Sequence, residues 1–127
     1  VVELGLRRVG HRARLQRSPY RRHIRVAYDR LVADALGAPD PGYTRYPCVV
    51  PSWDNSARRD YGAVIVEGST PGAYERWVRA ALADEPDLLF VNAWNEWGEG
   101  CHLEPDQRWG RAFLEAHLAA VNHADAS

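Results

Sequence analysis

The sequence predicts an α/β fold in which amphipathic helices alternate with short, apolar strands. Three runs, at residues 46–51, 63–66 and 88–91, are short and apolar, as buried strands are. The segments around them repeat apolar residues at helical spacing. Polar and aromatic residues begin where the first and third runs end. In α/β folds, this edge of the sheet holds the functional residues.

The first predicted helix spans residues 24–36, because apolar positions recur there at helical spacing and Gly37 ends the run. A strand at residues 46–51 then leads into a polar loop at residues 52–60. The apolar run at residues 63–66 predicts the second strand.

The second predicted helix starts after Thr70, a hydroxyl cap that is followed by a proline suited to the first helical turn. It ends before residues 84–86. The run at residues 88–91 is apolar at every position, which predicts a strand covered on both faces, as in a parallel sheet. The last helix is expected to open near Asp106 and to fade in a polar tail at residues 123–127.

The predicted order is helix, strand, strand, helix, strand, helix, which is the local pattern of a (β/α)8 TIM-type barrel. A whole barrel takes ~250 residues, so residues 1–127 are predicted to form a single partial domain, the C-terminal portion of such a barrel. The chain also contains no Met and opens on an apolar stretch at residues 1–4, as a strand entered partway would. An open doubly wound sheet has the same local pattern and is the alternative.

The net charge of -1 hides a basic segment at residues 7–30, which carries nine Arg and one acid. Because no aromatic residues are interleaved as in a binding motif, we interpret it as a solvated connection and predict no nucleic-acid partner. No apolar run approaches the ~20 residues that cross a bilayer, so this segment is predicted to have no membrane span. Cys48 and Cys101 suit small apolar fillers in a reducing cytoplasm better than a disulfide. A cytoplasmic location is therefore expected.

Residues 92–105 are the most informative stretch, with three acids, two indoles and two Asn directly behind a predicted strand. Cleavage of a glycosidic bond needs one carboxylic acid that protonates the leaving oxygen and a second carboxylate. If the backbone curls after Trp94, the i, i+3 spacing brings Glu96 and Glu99 together, whereas a continued strand would separate them. Two glycines in the stretch give the backbone freedom to curl. Glu96 and Glu99 are therefore the predicted catalytic carboxylates.

Other side chains of this stretch suit sugar binding. Trp94 and Trp97 offer flat apolar faces to sugar C–H groups, and Asn92 and Asn95 can hydrogen-bond hydroxyls. In the alternative, both Trp fill the core and the two acids form structural salt bridges, although the chain has no Lys to pair with them. A metal site at His102 would need further ligands at suitable spacing, and no metal is predicted.

Asp54, Asn55 and Arg58 follow the strand at residues 46–51 in the same way. They are candidates for binding hydroxyls or an anionic substituent of a glycan. The alternative is a structural loop network in which Asp54 caps backbone amides and pairs with Arg58. The sequence leaves both interpretations open.

Four linked motifs resemble the signature of WbsX-type proteins: residues 51–55, 58–59, 92–100 and 102–105. The resemblance runs over residues 46–113. It adds three residues to the candidate substrate-binding set: Trp53, His102 and Glu104.

WbsX-type proteins are labelled glycosyltransferases of lipopolysaccharide or O-antigen biosynthesis, and they resemble family 99 glycoside hydrolases, which are (β/α) barrels that act inside α-mannoside chains. The resemblance implies a retaining mechanism in which Glu96 deprotonates the sugar 2-hydroxyl, which attacks its own anomeric carbon, while Glu99 protonates the leaving group. Those hydrolases carry His where this chain has Gly98. The resemblance therefore does not carry over the identity of the substrate.

The predicted function is cleavage or transfer of glycosidic bonds in a bacterial surface polysaccharide of the O-antigen or lipopolysaccharide type. The substrate is an oligosaccharide or polysaccharide, and no cofactor is implied. A nucleotide-sugar transferase would need a diphosphate site at a Gly-rich turn or metal-binding acids, and the sequence shows neither. The alternative is a non-catalytic product, either a truncated remnant or a sugar-binding protein.

Overall fold

The computed structural model describes residues 23–124. Its helices and strands follow in chain order: β1 (Ile24–Ala27), α1 (Tyr28–Leu36), β2 (Cys48–Val49), β3 (Val64–Glu67), α2 (Pro71–Leu82), β4 (Phe90–Val91), β5 (Asn95–Glu96), β6 (Cys101–His102) and α3 (Ala112–Ala124). The predicted strand at residues 1–4 and most of the basic segment at residues 7–30 lie outside the described residues, as does the end of the polar tail.

The described strands form three two-stranded sheets, so the fold is a mixed α/β arrangement. β1 pairs with β3 and β2 with β4, both in parallel, while β5 and β6 form an antiparallel pair. A parallel pair requires a crossover, and the chain between β2 and β4 supplies it through β3 and α2. No closed barrel is present within residues 23–124.

The first element corrects the prediction of one helix over residues 24–36. β1 is a strand, and α1 begins only at Tyr28. Ile24 pairs with Val64, and its backbone N–H also donates to the carbonyl of Ala63 at 2.7 Å. The apolar spacing at the start of this segment therefore serves a strand, because a partner about forty residues away completes its hydrogen bonds.

The helix α2 confirms its prediction. Thr70 caps the N-terminus by accepting the backbone N–H of Ala73 at 3.2 Å, and a proline occupies the first turn. The predicted apolar stripe faces the core, which α2 and α3 build together with Tyr28, Val49 and Leu103. The Tyr28 hydroxyl donates to the Val50 carbonyl at 2.8 Å, which joins α1 to the end of β2.

The last helix begins later than predicted. Asp106 opens a turn instead of α3, because its carboxylate accepts the backbone N–H groups of Arg108 and Trp109. Two backbone hydrogen bonds between Asp106 and Gly110 close this turn, and Gly110 has a positive φ of 55°. α3 starts at Ala112 and continues to Ala124, past the predicted start of the polar tail.

The strand at residues 88–91 is not covered on both faces, contrary to the prediction. Leu89 and Val91 pack on the core, whereas Leu88 and Phe90 are 52% and 54% exposed. β2 is its neighbour in a sheet of only two strands, so nothing among the described residues covers the second face beyond an edge contact from the ring of Tyr46. None of the helices formed by residues 23–124 is long and apolar enough to span a bilayer.

Candidate active site

The stretch that follows β4 forms a tight hairpin with a helical turn at its tip. β5 and β6 are its strands, and a single 3-10 turn at Trp97–Glu99 joins them through Gly100. Gly100 adopts the left-handed conformation, with φ of 56°. The predicted curl is therefore present, but it starts after Glu96 rather than after Trp94, because Asn95 and Glu96 still pair with β6.

Glu99 is held by the loop that follows β2. Its carboxylate is 24% exposed and accepts a charged hydrogen bond from the guanidinium of Arg58 at 3.0 Å. Its backbone carbonyl accepts the N–H of Asp54 at 2.7 Å. Gly100 permits this approach, since a β-carbon there would lie 3.3 Å from three atoms of Asp54. The loop that follows β2 and the β5–β6 hairpin are thus joined at Glu99.

Arg58 corrects one expectation about the two acids. The absence of Lys suggested that they lack a cationic partner, yet Arg58 supplies one to Glu99. The same guanidinium also lies beside Gly98, where an added β-carbon would be 3.5 Å from Arg58 Nε. Such a distance is an ordinary van der Waals contact, so a β-carbon would fit beside the guanidinium.

Asp54 and Asn55 have structural contacts that the sequence offered as the alternative to sugar binding. The Asp54 carboxylate accepts the backbone N–H of Ser56 at 2.9 Å. The Asn55 side-chain oxygen accepts the N–H of Val64 at 2.8 Å and ties this loop to β3. The proposed pairing of Asp54 with Arg58 is wrong, because Arg58 binds Glu99 instead.

The two indoles of the hairpin are not core residues. Trp94 is 51% exposed and Trp97 is 49% exposed, so neither belongs to the core that residues 23–124 form. Glu96 and Asn95 are exposed as well. Asn92 lies deeper, where its carbonyl accepts the Cys101 thiol at 2.7 Å. Its side-chain amide lies 3.8 Å from the same sulfur, which places it at the base of the hairpin rather than at its tip.

An aromatic stack extends from the hairpin tip. Trp97 lies over His102 with ring centroids 3.8 Å apart and planes tilted by 16°. The indole N–H donates to the Glu104 carboxylate at 2.6 Å, and His102 Nε2 meets the Asp106 carboxylate at 3.1 Å. Burial opposes ionisation of Asp106, but hydrogen bonds from Trp109, His102 and Arg108 outweigh it and hold the pKa of Asp106 below its usual range.

A cleft of about 760 Å³ borders this stack. Four predicted site residues line it, namely Trp53, Asp54, Trp97 and His102. Eight predicted site residues do not: Asn55, Arg58, Asn92, Trp94, Asn95, Glu96, Glu99 and Glu104. The cleft also contains residues that sequence reasoning did not assign to the site, among them Asp106, Gln107 and Arg108, since it placed this segment in a helix.

The two cysteines differ in environment. Cys101 is fully buried, as a filler should be, and burial raises the pKa of its thiol to about 11. Cys48 is exposed, so its interpretation as a buried filler is wrong. Both are free thiols. Within residues 23–124, no group of three or more His, Cys, Asp or Glu side chains is placed to hold a metal ion.

The family model for glycosyltransferase WbsX matches residues 5–117 of the chain. The chain belongs to the WbsX family. Its candidate site residues lie between Trp53 and Glu104, so the match includes all of them.

Two curated relatives are similar to this WbsX-family chain. Both are the uncharacterized protein WxcX of Xanthomonas campestris pv. campestris, from strain B100 and from strain ATCC 33913. Each is 42% identical over 101 residues, which cover 74% of this chain and 14% of the relative. The chain thus spans about one seventh of the length of these relatives. No solved structure matches it.

Proposed function

We propose that this WbsX-family chain carries the carboxylate pair of an enzyme that cleaves or transfers glycosidic bonds in a bacterial surface polysaccharide. One observation carries the proposal. Glu96 and Glu99 bracket a single 3-10 turn behind a parallel strand, beside two half-exposed indoles. Glu96 is the residue before this turn and Glu99 is its last residue, so one short turn separates them in the chain. Glycosidic cleavage requires two carboxyl groups, and exposed indoles offer flat apolar faces to sugar C–H groups.

The two acids differ in their surroundings, which supports different roles. Glu96 is exposed and takes part in no ion pair within the described segment, so its carboxylate is open to accept the proton of a sugar 2-hydroxyl. Glu99 presents Oε1 to Arg58, which leaves Oε2 to face the oxygen of the leaving group. We assign Glu96 as the base and Glu99 as the acid/base, as the resemblance to family 99 glycoside hydrolases implies. Arg58 orients the Glu99 carboxyl group.

A (β/α)8 barrel is the proposed frame of the whole enzyme. The parallel pair β2 and β4 buries Val49, Leu89 and Val91 against helices but exposes Leu88 and Phe90. Parallel strands are normally covered on both faces. Further strands of the much longer polypeptide would cover this second face as the inside of a barrel. The hairpin would then project from the C-terminal edge, where barrels hold their active sites.

The test uses the full-length polypeptide and surface polysaccharide purified from the source organism. New reducing ends measure hydrolysis, and lengthening of an added oligosaccharide acceptor measures transfer. The wild-type protein should produce new reducing ends, extended acceptor or both. Glu96→Gln and Glu99→Gln should produce neither, although glutamine has almost the same shape as glutamate. The control is Glu115→Gln, an exposed acid of α3 outside the site, which should behave as wild type.

Sugar binding without catalysis is the second candidate function. Its supporting observation is that the cleft beside Trp97 and His102 excludes both glutamates. A folded wild-type protein that binds the polysaccharide, but neither releases reducing ends nor extends an acceptor, would favour this candidate. Loss of either product in both glutamine variants would exclude it.

A further inference from the structure

The cleft of about 760 Å³ lies next to the carboxylate pair without including it. Trp97, which stands between Glu96 and Glu99 in the chain, lines the cleft, and so does Gly100. The volume is in the range of small-molecule binding sites. A ligand seated there would therefore lie directly beside the hairpin tip while leaving both carboxylates free.

Ion pairs within the protein compensate two of the four acidic and guanidinium groups in the cleft wall, Glu67 and Asp106, whereas Asp54 and Arg108 make no ion pair among the described residues. Glu67 pairs with Arg25, and Asp106 is held by His102 and by the backbone amides of its turn. The guanidinium of Arg108 lies 5.0 Å from the centroid of the Trp109 ring, in a cation–π contact. A site built to bind an ion would present unpaired charge of the opposite sign. Asp54 and Arg108 carry one charge of each sign, so the wall as a whole favours neither a cation nor an anion and suits an uncharged ligand.

The apolar part of the cleft wall is aromatic. Trp53, Trp97 and Trp109 all line it. Trp97 is covered by His102 on one ring face and is nevertheless 49% exposed, so its other face is open. Pyranose rings carry a patch of C–H groups that packs on such a face. An open indole face therefore suits the C–H patch of a sugar ring.

Polar atoms that remain available in the wall come from few side chains. Gln107 is exposed and makes no side-chain hydrogen bond within residues 23–124, so its amide offers both a donor and an acceptor. One carboxylate oxygen of Asp54 holds the Ser56 amide, which leaves the second oxygen as an acceptor. Hydroxyl groups, which donate and accept, match this combination.

We propose that the cleft is a subsite for one uncharged pyranose residue of the glycan, next to the residue whose bond is broken at Glu96 and Glu99. The subsite rests on the proposed function, because it assigns the cleft to the same substrate. Stacking on an indole wall holds the sugar ring, and Gln107 and Asp54 bind its hydroxyls. A uronic acid residue is disfavoured, since three carboxylates lie in the wall, those of Asp54, Glu67 and Asp106, against the single guanidinium of Arg108.

The test measures binding by calorimetry with the full-length Glu96→Gln protein, which prevents turnover. The probes are neutral oligosaccharides released from the surface polysaccharide and uronic-acid oligosaccharides of the same length. Gln107→Leu should weaken neutral binding by about 5-fold, the loss of one hydrogen bond. Gln107→Trp, which fills the cleft, should weaken it by about 10-fold or more. The control is Asn122→Leu, an exposed amide of α3 outside the cleft, which should bind as its parent does.

The outcomes separate the subsite from the proposed function. Unchanged affinity in both Gln107 variants, or no binding of any neutral oligosaccharide, overturns the subsite. Tighter binding of the acidic probe overturns the assignment of an uncharged sugar. Reducing-end release that survives in Glu96→Gln and Glu99→Gln overturns the function, whatever the Gln107 variants do. Weakened binding in the Gln107 variants supports the subsite even in that case.

Discussion

Gly100 is the point at which the candidate active site depends most on the absence of a side chain. Its φ of 56° lies in the left-handed region, where an L side chain costs about 1–2 kcal/mol. A β-carbon there would also lie 3.3 Å from the Asp54 backbone N and O, so Asp54 must shift. Crowding of this kind costs about 1–3 kcal/mol in addition. We expect Gly100→Ala to lower the free energy of unfolding by about 2–5 kcal/mol.

Gly110 provides the matched control for this prediction. Its φ of 55° is almost identical, but a β-carbon there would meet no atom within 4 Å. Gly110→Ala should therefore show only the backbone cost of about 1–2 kcal/mol. Urea denaturation of both variants measures the difference, which is the effect of the close contact between Gly100 and Asp54. Equal destabilisation would refute the conclusion that this contact joins the two loops.

Three further substitutions probe other contacts of the described residues. Arg58→Gln removes the cationic partner of Glu99. Because Arg58 is 60% exposed, the free energy of unfolding measured by urea denaturation should fall by less than about 1 kcal/mol. The cleavage rate should fall as well. An unchanged rate would show that Arg58 does not orient Glu99. Thr70→Ala should lower the free energy of unfolding by about 1 kcal/mol, because it removes the helix cap. Thr70→Ser is the control that keeps the capping hydroxyl. Equal losses in the two variants would contradict the capping role. Burial lowers the pKa of His117 below 6.5 in the folded protein, so the unfolded chain binds this proton more readily. The free energy of unfolding should therefore fall as the pH drops below about 6.5, and the fall should level off below the folded pKa. Thermal unfolding between pH 7 and 5 should show a smaller fall for His117→Gln, and an identical fall would refute this role.

The fold could be predicted where local signals act alone. The helix α2 has its cap, its proline and its apolar stripe within one segment, so its start and its buried face were predictable. β1 was not, because Ile24 and its neighbours have apolar spacing that suits a helix and a strand equally, and the pairing with Val64 decides between them. The late start of α3 depends on the side-chain contacts of Asp106, which spacing does not reveal.

The candidate site was predictable in composition more than in geometry. Dense acids, indoles and glycines predicted a turn after the strand, and Trp97–Glu99 forms it. The contact between Arg58 and Glu99 joins residues 41 positions apart and has no local signature. The cleft beside Trp97 was missed because it is formed by loops that meet only in the folded chain.

We propose that Glu96 acts as the base and Glu99 as the acid. The most direct measurement is the release of phenol in the first turnover of the full-length enzyme. Two aryl glycosides are compared: one with a good leaving group, whose phenol leaves without being protonated, and one with a poor leaving group, whose phenol must be protonated. General acid catalysis matters only for the poor leaving group. Glu99→Gln should therefore keep near wild-type release of the good leaving group and lose the poor one, whereas Glu96→Gln should lose both. Equal losses for both leaving groups in Glu99→Gln, or full activity in Glu96→Gln, would contradict the assignment.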